Sequence, residues 1–258
     1  MNLLASQPGG FTDEAGIIDL EQTAADMIIL SAADSSLAAL ADAAESLPEN
    51  FPSIRLANWM NLLKPAAYDL YEDKVLCEAK VVVVSLLGGV NYWQYGYDRL
   101  IAWAQERSGR TLIMVPGDDA ADDDVFAASN VARDGVIRVW RFLREGGAIN
   151  NRQLFHYLAD QHLVEEQLST SQLTISYGWH EPEVLPRCML YMPGSPLKHS
   201  QAVYSDWLVR NKVNTQVVVV LFYRSHLQSA NTSMFDGLIR TLEEAGLQPL
   251  PIAIASLK

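Results

Sequence analysis

The chain has 258 residues and a mass of 28.6 kDa, and 49% of its residues are hydrophobic, which is enough for one large core or two modest ones. Its formal net charge of -12 opposes binding to nucleic acid or to an anionic membrane surface. Without a signal-peptide pattern, a membrane-spanning run or a C-x-x-C pair, the sequence predicts an unexported, soluble protein of the reducing cytoplasm.

Short apolar runs predict five strands in the first half of the chain, at 2–5, 27–32, 53–57, 80–87 and 111–115. Amphipathic stretches predict helices at 35–46, 66–78, 91–107, 133–145 and 150–164. Asp34 or Ser35 is expected to cap the first of these helices, and Pro65 suits the first turn of the second. The alternation of strand and helix predicts an α/β fold, with a doubly wound parallel-sheet domain in residues 1–165.

Residues 166–186 lose this periodicity and contain two prolines, which predicts a linker. The alternation then resumes with strands at 188–192, 216–222 and 249–254 and helices at 200–211 and 233–245. This β-α-β-α-β order predicts that residues 187–258 are the first half of a second α/β domain, which is expected to be truncated.

The carboxyl ends of the predicted strands mark a ligand-binding edge, because open parallel sheets bind ligands there. In the first half these ends read SQPGG (6–10), SAADSS (31–36), LLGG (86–89) and PGDD (116–119). Gly88 and Gly89 either let backbone amides approach a ligand or simply permit a tight turn. The aspartates between 118 and 124 either cap a short helix or hold a metal ion, and the helix dipole favours the cap.

The strongest candidate site follows the predicted strand 216–222. Arg224 stands at its carboxyl end with His226 two positions later, and the next helix is expected to start at Asn231, Thr232 or Ser233. A guanidinium and the free N–H groups of a helix N-terminus together suit a carboxylate or a phosphate. The alternative is that Arg224 pairs with an acidic neighbour, that Asn231 merely caps and that His226 is structural. The histidines lack metal-site spacing, and no known catalytic motif is present.

Four stretches resemble one family: LLGGVNYWQYGYDRL (86–100), PGDD (116–119), LYMPG (190–194) and FYRSHLQSANTSMFDGLIRTLEEAGLQPLPIAIASLK (222–258). The family is the large, porphyrinoid-binding subunit of aerobic cobaltochelatase, the CobN type, which is kin to the H subunit of magnesium chelatase. QPGGFTDE and IRLANWMNL near the start are also similar to it, so the resemblance covers essentially the whole chain. It implies that substrate-binding residues are among Tyr223, Arg224, His226, Asn231 and Thr232, to which the sheet edge adds Gly88 and Gly89.

The resemblance implies a ligase that forms a nitrogen–metal bond in cobalamin biosynthesis. In the family the large subunit binds a corrin, hydrogenobyrinic acid a,c-diamide, and cobalt is inserted with ATP hydrolysis by an AAA+ ATPase subunit that works with an integrin-I-like subunit. Cobalt and ATP therefore belong to the full complex, and neither is expected on this chain. Family members are several times longer, so the chain is expected to be an N-terminal fragment that is inactive alone.

The sequence allows two alternative functions. One is a non-catalytic head domain that docks the ATPase subunits, and the other is a magnesium chelatase H-type subunit that binds a porphyrin. The aromatic residues Tyr92, Trp93 and Tyr95 would suit the face of a flat macrocycle, but their helical spacing with Leu100 and Trp103 equally suits a core.

Overall fold

The computed structural model describes residues 17–163, 176–193, 204–205, 207–209 and 216–255. The predicted strand 2–5 and the loop 6–10 lie outside the described residues, as does most of the predicted helix 200–211, whose described residues 204–205 and 207–209 are helical. Within the described ranges, no helix combines the length and the apolar character that crossing a bilayer requires.

The first sheet contains four parallel strands, β1 (Met27–Ser31), β2 (Ile54–Asn58), β3 (Val81–Leu86) and β4 (Thr111–Pro116), in the order β2-β1-β3-β4. The central strands β1 and β3 are almost wholly buried runs of Met, Ile, Leu and Val, because helices cover both faces of the sheet. The register pairs Ser31 of β1 with Ser85 of β3, so two hydroxyl-bearing residues lie side by side at the carboxyl edge.

The helices of this half are, in chain order, α1 (Asp34–Glu45), α2 (Pro65–Tyr71), α3 (Gln94–Glu106), α4 (Asp123–Ala127), α5 (Arg133–Glu145) and α6 (Gly147–His162). A π-helical turn, Glu72–Leu76, prolongs α2, and 3-10 turns at Trp59–Leu62 and Val90–Tyr92 precede α2 and α3. α1, α5 and α6 bury one face of the sheet, and α2 and α3 bury the other. The doubly wound α/β arrangement that the sequence predicts is confirmed.

The second sheet contains β5 (Cys188–Leu190), β6 (Val217–Tyr223) and β7 (Gln248–Ile254) in the order β5-β7-β6. Two helices, α7 (Ser225–Gln228) and α8 (Ser233–Glu244), connect β6 to β7, which run parallel as expected. β5 instead pairs antiparallel with β7, which makes the small sheet mixed. Hydrophobic runs identified the strand, but they carry no information about its direction. The α/β class of this half is confirmed.

Residues 176–187, here called the strap, run along α5 and α6 without helix or strand structure. Four side chains of α5 and α6 hydrogen-bond to its backbone: Asp160 to Tyr177 and Gly178, Gln153 to His180, Asn150 to Glu183, and Glu145 to Leu185. Asn150, Gln153 and Glu145 are 2%, 6% and 3% exposed, so the strap supplies the partners that these buried polar groups need. The division into 1–165, 166–186 and 187–258 stays a prediction.

Candidate functional site

A cavity of about 610 Å³ lies between the carboxyl ends of the two sheets. The wall on the side of the first sheet includes Ser31, Ser85 and Asp118, which follow or end β1, β3 and β4. Tyr223 and Arg224, at the end of β6, form part of the opposite wall. The loops that the sequence singled out at 31–36 and 116–119 therefore do meet at one binding edge.

Arg224 is held in place by backbone groups. Its Nη1 donates to the Leu185 carbonyl at 2.7 Å, and its own N–H donates to the Ile254 carbonyl at 2.8 Å. Among the described residues it forms no ion pair, so the acidic neighbour that we considered as an alternative is not found there. A neutral carbonyl leaves the guanidinium charge uncompensated, and the side chain lines the cavity.

The charges around the cavity are distributed unevenly. Arg187 and Arg224 lie on the wall of the second sheet, whereas Asp118 and Asp119 lie on the wall of the first. Arg144, at the base, is neutralised by Glu145 at 2.8 Å, and its guanidinium lies 4.8 Å from the ring centre of Trp140. The wall formed by the second sheet therefore carries the positive side-chain charges of the cavity.

His226, Asn231 and Thr232 do not line this cavity. The ring of His226 packs edge-on against Phe235, with 4.9 Å between the ring centres. Thr232 Oγ1 donates to an oxygen of Asp236 at 3.2 Å, and Asn231 is exposed. The helix α7, which the sequence did not predict, begins directly after Arg224, contains His226, and separates Asn231 and Thr232 from Arg224.

Thr232 is the N-cap residue of α8, one of the three starts that the sequence allowed, and its side chain makes no capping hydrogen bond. The alternative in which Asn231 caps this helix is therefore wrong. Asp236, the partner of Thr232, also accepts a hydrogen bond from the Tyr191 hydroxyl at 2.6 Å. Burial and this hydrogen bond raise the pKa of Tyr191 to about 12, so the phenol stays protonated and keeps donating. Thr232 therefore contributes to the packing of the second sheet, and its assignment to substrate binding stays a prediction.

Comparison with known proteins identifies the region that carries Arg144, Arg187 and Arg224. The family described as CobN/Magnesium Chelatase matches residues 140–258. These residues, somewhat less than half of the chain, are similar to that family.

Similarity to CobN proteins extends over the whole chain. The aerobic cobaltochelatase subunit CobN of Pseudomonas aeruginosa is 43% identical over 258 residues, which is 100% of this chain and 19% of that protein. The protein of the same name from Sinorhizobium sp is 31% identical over 262 residues, 100% of this chain and 20% of that protein. The chain thus spans about a fifth of the curated relatives that it matches.

A solved structure shows the same fold. The catalytic subunit of cobaltochelatase from Mycobacterium tuberculosis superposes with a TM-score of 0.62 and 27% sequence identity, over 90% of this chain and 16% of that chain. Together with the sequence matches, this confirms the CobN resemblance that the motifs indicated. The residues of the first sheet that line the cavity precede the 140–258 match to the family. They are covered by the similarity to the CobN proteins, which extends over the whole chain.

The CobN-like stretch 86–100 is largely structural. Gly88 and Gly89 have φ angles of +83° and +78°, and a Cβ on Gly88 would lie 3.0 Å from the Tyr92 ring, which favours the turn interpretation. Gly89 also lines a smaller cavity of about 380 Å³ beside Asp118. Neither glycine lines the larger cavity, and their assignment to substrate binding stays a prediction.

The aromatic residues of this stretch divide between core and surface. Trp93 is 2% exposed, stacks on Trp59 with 5.2 Å between ring centres, and donates its Nε1–H to the Leu62 carbonyl. Tyr92 and Tyr95 are 62% and 36% exposed, but neither lines the cavity. Trp93 is thus a core residue, and no macrocycle can stack on it.

The aspartates after β4 form a helix cap. Asp122 Oδ1 accepts hydrogen bonds from Asp124 N–H at 3.0 Å and Val125 N–H at 3.2 Å, and Asp123 pairs with Arg133 at 2.5 Å. No cluster of three or more metal-ligating side chains occurs within the described part of the chain. The cap interpretation is therefore the one that the geometry supports.

Two features of the cavity were missed by the sequence analysis. The N-cap of α1 is Ala33, so the expectation of a cap from Asp34 or Ser35 is wrong. Asp34 instead accepts a hydrogen bond from the Asn58 side chain at 2.7 Å, because β2 ends beside it.

The second feature is Asn151, which lines the cavity and is 3% exposed. The burial of Asn151 was difficult to predict, because a polar residue of an amphipathic helix ordinarily faces solvent. A second asparagine beside it, Asn150, was the one sign of a buried polar role.

Proposed function

We propose that this chain is the part of a CobN-type cobaltochelatase large subunit whose cavity binds the corrin substrate, hydrogenobyrinic acid a,c-diamide, for cobalt insertion in cobalamin biosynthesis. The observation that carries the proposal is the placement of Arg187 and Arg224 on one wall of a cavity at the carboxyl edges of two sheets. The similarity to CobN over the full length of the chain supplies the substrate class.

The carboxylates of the corrin and the guanidinium groups of the cavity are chemically complementary. The corrin carries several free carboxylates on the rim of a flat ring, and a guanidinium binds a carboxylate through two parallel hydrogen bonds. The cavity volume of about 610 Å³ is within the range of small-molecule sites. Tyr223, 48% exposed beside Arg224, offers an aromatic surface to the macrocycle. His226, Asn231 and Thr232 would act indirectly, by holding the loop after β6.

The full reaction needs more than this chain. We propose that cobalt is the inserted substrate, that ATP is hydrolysed by a separate AAA+ ATPase subunit assisted by an integrin-I-like subunit, and that the complex acts as a ligase in the cytoplasm. Alone, the 258-residue chain is proposed to bind corrin without inserting the metal.

Titration of hydrogenobyrinic acid a,c-diamide into the chain, followed by the corrin absorbance, tests the proposal. Arg187→Ala and Arg224→Gln should each weaken binding about tenfold, since each removes a charge-assisted contact. Arg240, exposed on α8 away from the cavity, provides the matched control as Arg240→Ala. If the unsubstituted chain does not bind the corrin, the proposal is wrong. Tighter binding of protoporphyrin would instead indicate a magnesium chelatase H-type role.

A docking role is the second candidate, and the outer face of β6 favours it. Val217, Val219 and Leu221 alternate along this strand and are 49%, 57% and 49% exposed, which is unusual for valines and leucines of a sheet. We propose the ATPase subunit as the partner in this case. Co-purification with that subunit, abolished by Leu221→Asp and unaffected by Arg187→Ala, would separate docking from corrin binding.

A further inference from the structure

The beginning of α1 presents backbone donors to the cavity. The first helical hydrogen bond runs from Leu37 N–H to the Ala33 carbonyl, so the N–H groups of Ser35 and Ser36 precede the helical ladder. Neither N–H has a partner among the described residues. Both residues line the cavity and add their hydroxyl groups. α1 has 12 residues, so its N-terminal end also carries a positive potential.

Asn151 provides a second, independent donor at the same place. It is 3% exposed, it lines the cavity, and its side-chain amide has no hydrogen-bond partner among the described residues. In the described part of the chain, the fully buried polar atoms without a partner belong to Tyr68, His156 and His162, so the Asn151 amide keeps contact with the cavity. The neighbouring Asn150, by contrast, makes three hydrogen bonds, to Gly146 and to both backbone groups of Glu183.

Asn151 and the start of α1 belong to one surface. Ser36 and Leu40, four positions apart on α1, share a helical face, and both line the cavity together with Asn151. α6 packs against α1 through Leu154, one turn beyond Asn151, in the same apolar cluster as Leu40. The donors of the two helices therefore converge on the same side of the cavity, opposite the arginines of the second sheet.

We infer that this side of the cavity is a binding site for a small oxyanion, a carboxylate or phosphate group, held by the N–H groups of Ser35 and Ser36 and the amide of Asn151. The site does not depend on the corrin proposal, because its donors are distinct from Arg187 and Arg224. Asp34, the acidic residue next to these donors in sequence, binds the Asn58 side chain. Asp118 and Asp119 also line the cavity, where Asp118 accepts a hydrogen bond from the Ala120 N–H and Asp119 is exposed to solvent.

Backbone and side-chain amide NMR of the ¹⁵N-labelled chain tests the site directly, with inorganic phosphate and acetate titrated separately at constant ionic strength. The expected result is saturable shifts of the Ser35, Ser36 and Leu37 amides and of the Asn151 side-chain NH₂ signals. Stronger binding of acetate would indicate the carboxylate of a larger ligand as the natural group, and stronger binding of phosphate a free phosphate or phosphate ester. If neither anion shifts these signals saturably, the inference is wrong.

Asn151→Asp replaces the donor with a carboxylate of the same size and should weaken anion binding at least about tenfold. Asn91→Asp makes the same change of charge at an exposed position that does not line the cavity, and it should leave binding unchanged. Equal affinities of the two variants would contradict the role of Asn151. Should Asn151→Asp fail to fold, the mapping of shifts on the unsubstituted chain still decides the question.

Discussion

Glu145 and Arg224 bind the two backbone groups of one residue, Leu185. The Leu185 N–H donates to Glu145 Oε2 at 3.2 Å, and Arg224 Nη1 donates to the Leu185 carbonyl at 2.7 Å. Glu145 ends α5 beneath the first sheet, whereas Arg224 follows β6 of the second. The strap residue Leu185 thus connects a buried carboxylate of one layer to the candidate ligand residue of the other.

Glu145→Gln is expected to lower the free energy of unfolding by about 1–3 kcal/mol, because it removes the charge that binds both Arg144 and the Leu185 N–H at a buried position. Urea denaturation followed by tryptophan fluorescence measures the change. The exposed Glu243 on α8 supplies the control, and Glu243→Gln should change the stability by less than about 0.5 kcal/mol. Because Leu185 is shared, the effects of Glu145→Gln and Arg224→Gln should not add, and additivity would contradict the coupling.

Gly146→Ala is expected to disturb the contact between α7 and the α5–α6 junction. Gly146 has a φ of +60°, and a Cβ there would lie 2.9 Å from the Gln228 carbonyl oxygen. The Gln228 side chain also donates to the Arg144 carbonyl at 2.9 Å. Gln228 of α7 therefore contacts the α5–α6 junction through both its backbone and its side chain. Gly246→Ala is the matched control, because Gly246 has a φ of +77° and open space around it. We expect the Gly146 variant to lose about 1–3 kcal/mol more in chemical denaturation than the control; equal losses would mean that only backbone strain matters.

Gly96→Ala should destabilise the core of the first half. A Cβ on Gly96 would lie 2.1 Å from the Trp93 ring, which is buried against Trp59. Overpacking of this kind costs about 1–3 kcal/mol. Gly237→Ala, in a helix where a Cβ meets nothing, should instead stabilise the chain by about 0.5–1 kcal/mol. Thermal unfolding of both variants checks the opposite signs, and a neutral Gly96→Ala would show that Trp93 can move aside.

The stability of the chain should fall as the pH falls below about 6.5. Burial lowers the pKa of His156 and of His162, so the unfolded chain binds protons at these positions more readily than the folded chain. Stability from the neutral imidazoles is complete above the unfolded pKa of about 6.5 and is lost as the pH drops toward the folded pKa. Melting temperatures measured between pH 7.5 and about pH 5 should therefore decrease, and His162→Gln should reduce the slope.

If His162→Gln keeps the slope of the unsubstituted chain, the pH dependence arises elsewhere, in the carboxylates for example.

Much of the fold could be predicted because its strands are buried on both faces. Runs such as VVVV at 81–84 have few alternatives to a central parallel strand, and the described strands agree with the predicted ones to within two residues. The direction of β5 could not be predicted, since the pairing partner β7 lies about sixty residues away and hydrophobicity does not encode orientation.

The candidate site was predicted only in part. Arg224 and the loops after β1 and β4 were identified because they follow apolar strands. His226 was grouped with Arg224 by its proximity in sequence, but α7 turns its ring toward Phe235. The strap was interpreted as a linker because its partners are polar side chains on α5 and α6, and binding to polar partners leaves no apolar periodicity in the strap itself.

Residues that lie in neither wall of the cavity hold the strap in one register. Asp160, Gln153, Asn150 and Glu145 each bind a different backbone position of the strap, so the strap cannot shift by one residue without losing these contacts together. The same strap presents the Leu185 carbonyl to Arg224, so the register of the strap helps to position this guanidinium in the cavity. Among homologous chains, we expect an insertion or deletion between Tyr177 and Leu185 to displace Arg224, whereas a substitution at an exposed position of the strap should leave it in place.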